Sequence, residues 1–255
     1  MSPSDRPLAD KACLITGGSS GLGRSTGSAM AAAGASVALV ARSADDLAHV
    51  AESTAAEGSR VIPIAADLAD PTACQDVVQR TVQQLGRLDI VVNAAGTDVP
   101  KAAAELEAHE WDRVLAVNLR APFLIAKHSF PHLRNAGGGT IINISSVAGR
   151  RGWAGASAYC AAKFGLTGLT QALNAEGKPH GIRVCVVYPG AMDTQWGDWS
   201  ADERRRHVHS SGRSEPSQAL PPGHVADLLV WIARAPAALV LNESTVTPLH
   251  EQGWP

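Results

Sequence analysis

Tyr159 and Lys163, in Tyr159-Cys160-Ala161-Ala162-Lys163, are spaced so that both side chains fall on one face of a helix, about 6 Å apart at their Cβ atoms. An ammonium beside a phenol favours the phenolate and draws the tyrosine pKa toward neutrality, which suits an acid/base group working on an alcohol or a ketone. Ser146 precedes the pair at the end of a strand-like run and supplies a hydroxyl that would orient a substrate oxygen. Alone, a Tyr/Lys pair on a helix is more often surface decoration. It gains meaning only in company.

That company begins at Thr16-Gly17-Gly18-Ser19-Ser20-Gly21-Leu22-Gly23, between the apolar run Ala12-Cys13-Leu14-Ile15 and an alanine-rich helical segment starting near Arg24. Glycines there can take positive φ and let the backbone approach a ligand, while a helix N-terminus offers unpaired N–H groups and partial positive charge to an anion. The turn suits a pyrophosphate. Gly17-Gly18-Ser19-Ser20-Gly21 also fits the G-x-S-x-G nucleophile elbow. Such an elbow needs several strands of sheet before it, and here roughly one precedes it. A third reading is a βα turn that merely packs.

The elements that must position these groups are legible as an alternation. Apolar runs at Ala12 to Thr16, Val37 to Ala41, Val61 to Ala65, Ile90 to Asn93, Thr140 to Ile144 and Arg183 to Tyr188 read as buried parallel strands. Helical spacing fills Ala44 to Glu57, Pro71 to Leu85, Trp111 to Arg134, Ser157 to Ala175 and His224 to Ala233, and Ser244 to Thr247 reads as a last short strand. The expected architecture is one α/β domain over 1–255, a doubly wound parallel sheet with helices on both faces and a ligand crevice at the strands' carboxyl ends. The polar stretch 193–222 interrupts the pattern and is expected to be a substrate lid.

With 45% hydrophobic residues and a formal net charge of −2, the chain has an ample core and no general field for nucleic acid or a membrane surface. Cys13, Cys74, Cys160 and Cys185 are scattered without a C-x-x-C pair, so reduced structural thiols are expected. The polar N-terminus lacks a signal-peptide core and no stretch is long enough to span a bilayer, which points to a cytoplasmic protein. His128 with His132, and His207 with His209, lack companion ligands at recognisable spacing, so no metal is expected.

Taken together, these motifs resemble the short-chain dehydrogenase/reductase family, in its short single-domain branch, over nearly the whole chain. The family's T-G-x-x-x-G-x-G motif stands as Thr16 to Gly23, its N-A-G motif as Asn93-Ala94-Ala95-Gly96, its active-site asparagine as Asn118, and its Y-x-x-x-K as Tyr159 and Lys163. Ser146, thirteen positions before the tyrosine, matches its serine, and Pro189-Gly190 with Met192 and Thr194 matches its cofactor loop. The resemblance implies a Rossmann fold and an oxidoreductase that moves a hydride between a nicotinamide and a carbonyl. It also implies that Tyr159 is the proton donor, that Ser146 hydrogen-bonds the carbonyl oxygen, that Lys163 binds the nicotinamide ribose and lowers the Tyr159 pKa, and that Asn118 holds a water relaying protons from Lys163. Gly17, Ser19, Ser20, Gly21, Leu22, Gly23, Asn93, Ala94 and Gly96 fall at the implied cofactor site, as do Asp67, at the position that contacts adenine, and its neighbour Leu68.

The second strand ends in Val40-Ala41-Arg42-Ser43, with no acidic residue for a ribose 2′-hydroxyl and with Arg42 and Ser43 available to a 2′-phosphate. NADP(H) is therefore preferred, with NAD(H) as the second choice, since Ser20 stands where the family often adds another basic residue. Trp153, Trp196 and Trp199 are candidates for the mouth of a pocket suited to a bulky apolar ketone, or else for lid anchors or subunit contacts. Arg150, Arg151 and the run Arg204 to Arg206 suggest instead a carrier-linked 3-oxoacyl thioester. A protein that senses the dinucleotide without turnover is the rival of a different class. The family usually forms homodimers or homotetramers, although the tail from Leu241 to Pro255 departs from its common glycine-rich ending.

Overall fold

Each apolar run becomes a strand of one parallel sheet in the computed structural model, which describes residues 6–55, 59–194, 219–249 and 251. The strands β1 (Ala12–Thr16), β2 (Ser36–Ala41), β3 (Val61–Ala65), β4 (Ile90–Asn93), β5 (Gly139–Ile144), β6 (Ile182–Pro189) and β7 (Glu243–Val246) lie in the order β3-β2-β1-β4-β5-β6-β7. All six pairings are parallel. Parallel strands need long crossovers, which the helices supply. These are α1 (Gly21–Ala32), α2 (Ala44–Thr54), α3 (Pro71–Leu85), α4 (Ala108–Leu115), α5 (Ala121–Asn135), α6 (Ser157–Gly177) and α7 (Pro222–Arg234).

Both faces of the sheet are covered, which is why the strands read as continuous apolar runs instead of alternating ones. Cys13 and Ile15 of β1 point into a layer with Met30 of α1, Leu47 of α2 and Leu229 of α7. Leu14 points the other way, into a layer with Val77 of α3, Ile125 of α5 and Leu173 of α6. Pro63, which lacks a donor for the ladder, is tolerated because β3 is an edge strand. Local signals set the helix ends. Asp70 accepts from Thr72 N at 2.8 Å, Pro71 opens α3, and Gly86 closes it at φ 81°.

The sequence predicts one helix over Trp111 to Arg134; the protein instead has α4 and α5 joined by a π-helical turn, Ala116–Arg120. The cause sits inside it. Asn118, a poor residue for a helix interior, donates to Val114 O at 2.9 Å and so caps a carbonyl of the preceding turn. All four cysteines are free and buried. Among the described residues no helix is long and apolar enough to cross a membrane.

Strand order reverses at β1, which has β2 on one side and β4 on the other. The crevice expected at such a reversal opens beyond the carboxyl ends, where Thr16 and Asn93 terminate β1 and β4. Thr16 Oγ1 accepts from Ala94 N and Ala95 N, each at 3.0 Å, and locks the two strand exits together.

Candidate functional site

Three glycines shape the floor of the crevice. Gly17 has φ 73°, and a Cβ there would come within 3.0 Å of the Ala94 carbonyl carbon. Gly21 begins α1 at φ 50°, while a Cβ on Gly23 would overlap the Gly17 carbonyl oxygen. Ser20, at the N-cap, makes no side-chain capping bond, and the first turn of α1 holds no acidic residue. The helix therefore presents its first N–H groups and the positive end of its dipole to the crevice. This is an anion cradle in which side chains would be in the way.

Above the cradle lies a cavity of about 420 Å³ that brings together Gly17, Ser20, Gly21, Leu22, Gly23, Ala94, Gly96, Ser146, Tyr159, Lys163, Pro189, Gly190, Met192 and Thr194. Ser146 caps a short 3₁₀ turn, Val147–Gly149, by accepting from Ala148 N at 3.2 Å, and its hydroxyl is hydrogen-bonded to Tyr159. The neighbouring Ser145 also borders the cavity, but its hydroxyl is taken up in donating to Lys163 O at 3.3 Å, which leaves the Ser146 hydroxyl as the one beside Tyr159. Lys163 is buried, donates to Ile144 O at 2.8 Å, and its Nζ sits 5.5 Å from the centre of the Tyr159 ring.

Burial dominates the protonation of both groups. It holds the Tyr159 phenol above its ordinary value of 10; the Ser146 hydrogen bond pulls it down, and Asp98 and Cys160 add to the rise. Burial also draws Lys163 from 10.5 to about 7, against an opposing pull from Asp98. The spacing of Tyr159 and Lys163 predicts the opposite shift, a phenol acidified by its lysine. Burial thus leaves the Tyr159 phenol protonated and the neighbouring Lys163 only partly charged near neutrality.

A second recess, of about 170 Å³, continues from the cradle and is lined by Ser19, Arg42, Asp67, Leu68 and Gly96 among others. Arg113 of α4, which sequence reading did not single out, enters it and meets Asp67 Oδ2 at 2.8 Å. That hydrogen bond holds the Asp67 carboxyl below its usual range, with Ala69 N donating to Oδ1 at 3.0 Å. Arg113 thus balances Asp67, and the exposed Arg42 is left as the surplus positive charge of the recess. Ser43 caps α2 by accepting from Asp46 N at 3.3 Å and lines neither space.

Other expected residues have different surroundings. Asn93, expected at the cofactor, is buried and donates to Asn143 Oδ1 at 2.8 Å, and Asn143 donates to Thr170 Oγ1 at 2.8 Å, a ladder tying β4 and β5 to α6. Asn118 is fully buried; besides Val114 O it donates to Thr97 O at 2.7 Å and accepts from Thr97 N at 3.3 Å. Both its N–H groups are committed, so a relay water would have only the remaining Oδ1 lone pair. Trp153 is 45% exposed and lines neither space. Trp196, Trp199 and Arg204 to Arg206 lie outside the described residues, as does most of the expected lid. The ends of that stretch meet: Asp193 N donates to Leu220 O at 2.9 Å and Leu220 N to Ala191 O at 3.0 Å. Arg150 is engaged elsewhere, paired with Glu243 and lying 4.3 Å over the Tyr188 ring.

Two acidic residues at the site were not legible beforehand. Glu251 accepts from Ala191 N at 3.1 Å and packs against Gly190, so the tail braces the Pro189 loop from behind. Asp98, on the loop leaving β4, acts electrostatically on both Tyr159 and Lys163.

The short chain dehydrogenase family model matches residues 11–204. Glycine betaine reductase ATRR of Emericella nidulans is 32% identical over 245 residues, 96% of this chain, which spans only 19% of that protein's length. Cis-4-hydroxycyclohexanecarboxylate dehydrogenase of Sinomonas cyclohexanicum is 33% identical over 239 residues, covering 92% of this chain and 94% of that one. A crystal structure of a metagenomic short-chain oxidoreductase in complex with NADP superposes with a TM-score of 0.81 at 30% identity, over 95% of this chain and 99% of that one.

Proposed function

Because the chain belongs to the short-chain dehydrogenase family, we propose that it is an NADP(H)-dependent oxidoreductase interconverting a ketone or aldehyde and an alcohol, with Tyr159 as the proton donor. The observation that carries this reading is the convergence of Ser146, Tyr159 and Lys163 with the uncapped N-terminus of α1 on one cavity. A dinucleotide fits the residues present. The glycine cradle and the α1 N–H groups would receive its pyrophosphate, and the Pro189–Thr194 loop closes the same cavity.

When bound, NADPH supplies the hydride that reduces the carbonyl carbon. Ser146 and Tyr159 then hold the carbonyl oxygen between two hydroxyls, and Tyr159, a neutral phenol, donates its proton as negative charge develops there. Lys163, whose amine takes up a proton near neutrality, stabilises the phenolate that remains. The surplus charge of Arg42 supports a 2′-phosphate and hence NADP(H). Engagement of Arg150 by Glu243 removes one of the cations that suggested a 3-oxoacyl thioester substrate. A homo-oligomer is supported by Phe123 on α5 and Phe164 on α6, large apolar side chains left exposed.

The test follows loss of reduced-nicotinamide absorbance with NADPH and NADH against ketones, aldehydes and 3-oxoacyl thioesters. Turnover favouring NADPH and lost in Tyr159→Phe is expected. Arg42→Ala is expected to raise KM for NADPH by about tenfold or more while sparing NADH, as for a lost charge-assisted hydrogen bond. NADPH binding without turnover on any substrate would favour the sensor.

A further inference from the structure

We propose that Glu251 is a positioning residue for the cofactor: its carboxylate fixes the Pro189–Thr194 loop along the cavity and thereby sets how fast the dinucleotide leaves. The inference rests on the dehydrogenase reading above.

The loop bridges the crevice. At its root β6 runs beside the exit of β5, where Ser145 N donates to Val187 O at 2.8 Å. At its far end Thr194 reaches the start of α1, since a Cβ on Gly21 would come within 3.3 Å of Thr194 Cβ. The loop thus runs from the strand beside Ser146 to the anion cradle, and Pro189, Gly190, Ala191, Met192 and Thr194 all line the cavity. A dinucleotide held between the cradle and Tyr159 lies along this bridge, so its exchange is coupled to movement of the bridge.

Two segments remote in sequence fasten the bridge. Leu220, just before α7, pairs along one edge: its N donates to Ala191 O at 3.0 Å and its O accepts from Asp193 N at 2.9 Å. Ala191 N donates instead to Glu251 Oε2 at 3.1 Å. A turn after β7 delivers that carboxylate. Gly190 N donates to Val246 O at 2.8 Å, beside the last rung of the β6–β7 ladder, and Glu251 N donates to Pro248 O at 3.1 Å, which curls the tail back onto the loop. Gly190 reports the same contact. It does not adopt a positive φ, so its backbone has no need of glycine. What a side chain would lack there is room, because a Cβ would overlap the Glu251 carboxylate. Glu251 does not line the cavity, so a methyl on Gly190 would displace a flexible carboxylate and not the dinucleotide. A carboxylate accepting a backbone N–H makes a stronger bond than a neutral acceptor, and its loss leaves Ala191 N without that partner.

The test measures release of NADPH from the full chain by stopped-flow fluorescence, with excess NADP⁺ as the chase. The native protein is compared with Glu251→Ala, Glu251→Gln, Gly190→Ala and the double variant Gly190→Ala/Glu251→Ala. Glu251→Ala and Gly190→Ala are each expected to raise the release rate about tenfold. Glu251→Gln keeps an acceptor for Ala191 N and is expected to stay within about threefold of the native rate. The double variant is expected to release no faster than either single one, because both changes remove one contact. A general loosening of the fold would not give this pattern: its effects would add, and glutamine would not rescue. Gly190→Ala reads the contact with the tail residue intact, so the test stands even if Glu251→Ala folds poorly. An unchanged release rate in Gly190→Ala, additive effects in the double variant, or Glu251→Gln releasing as fast as Glu251→Ala would each overturn the assignment. If the native protein bound no NADPH, the dehydrogenase reading would fail and this inference with it. NADPH bound by the native protein and released at the native rate from every variant would remove this inference alone.

Discussion

Lys163→Met removes an amine that burial has already drawn from 10.5 to about 7. Between those two values the unfolded chain holds a proton that the folded chain does not, so stability rises with pH across the window and the deficit is complete below about pH 7. At about 1.4 kcal/mol per pH unit, the span limits that deficit to about 5 kcal/mol. Methionine has a similar length, stays neutral and removes the deficit. It also abandons the hydrogen bond to Ile144 O and leaves a buried carbonyl without that donor, at a cost of about 1 to 3 kcal/mol. The balance is a variant more stable than the native protein by about 2 to 4 kcal/mol at pH 6.5, or roughly 4 to 16 °C in Tm for a chain of this size. Near pH 10.5 the sign reverses, because only the lost hydrogen bond remains. Thermal unfolding of both proteins by circular dichroism, without cofactor, at pH 6.5, 8 and 10 (about one point per stage of the titration) reads the difference directly. Turnover of the variant is expected to fall by at least about a hundredfold. A variant less stable than the native protein at pH 6.5, or a difference constant with pH, would refute the claim that Lys163 is stored in a costly environment for function.

The high phenol pKa of Tyr159 sets the pH dependence of the two directions. Alcohol oxidation needs the phenolate and is expected to accelerate from about pH 7 to about pH 10, whereas carbonyl reduction does not; an oxidation rate independent of pH over that range would contradict it. Gly23→Ala drives a methyl into the Gly17 carbonyl oxygen, and titration calorimetry is expected to show NADPH affinity reduced by about tenfold or more. Undiminished affinity would mean that the turn yields. Asp89 is buried, which by itself favours the neutral acid, yet hydrogen bonds from Arg87, at 2.7 Å to each oxygen, and from Ala12 N at 3.0 Å hold its carboxyl below 3.8. Its contribution is present above about pH 4 and disappears as pH falls through the lowered value. Asp89→Asn should therefore cost about 1 to 3 kcal/mol in urea unfolding at pH 7, and the gap should narrow toward pH 3.

Chemistry carried by neighbours in sequence was readable. The cradle occupies Thr16 to Gly23, and Tyr159 and Lys163 share one helix, so types and spacing alone named them. Strand positions followed because a sheet covered on both faces requires unbroken apolar runs, and β1, β3 and β4 have the expected ends. What stayed hidden depends on contacts distant in the chain. Arg113 reaches Asp67 across 46 residues and Glu251 reaches Ala191 across 60, and no local pattern announces either. Asn118 could be picked out as an anomaly in a helix, but its partners Thr97 and Val114 explain the π turn only once the β4 loop is folded against it. The direction of the Tyr159 shift was missed for a physical reason: spacing reveals a charged neighbour, whereas the burial that discharges that neighbour is a property of the whole fold.

The central claim is that this site transfers a hydride to a carbonyl carbon with Tyr159 supplying the proton. NADPH carrying deuterium at the transferable position, incubated with the best ketone of the panel, tests it by mass spectrometry of the alcohol. One deuterium on the carbinol carbon is predicted for the native protein, with none from Tyr159→Phe under conditions where that variant still binds NADPH. Unlabelled alcohol from the native protein, or labelled alcohol at the native rate from Tyr159→Phe, would contradict the account.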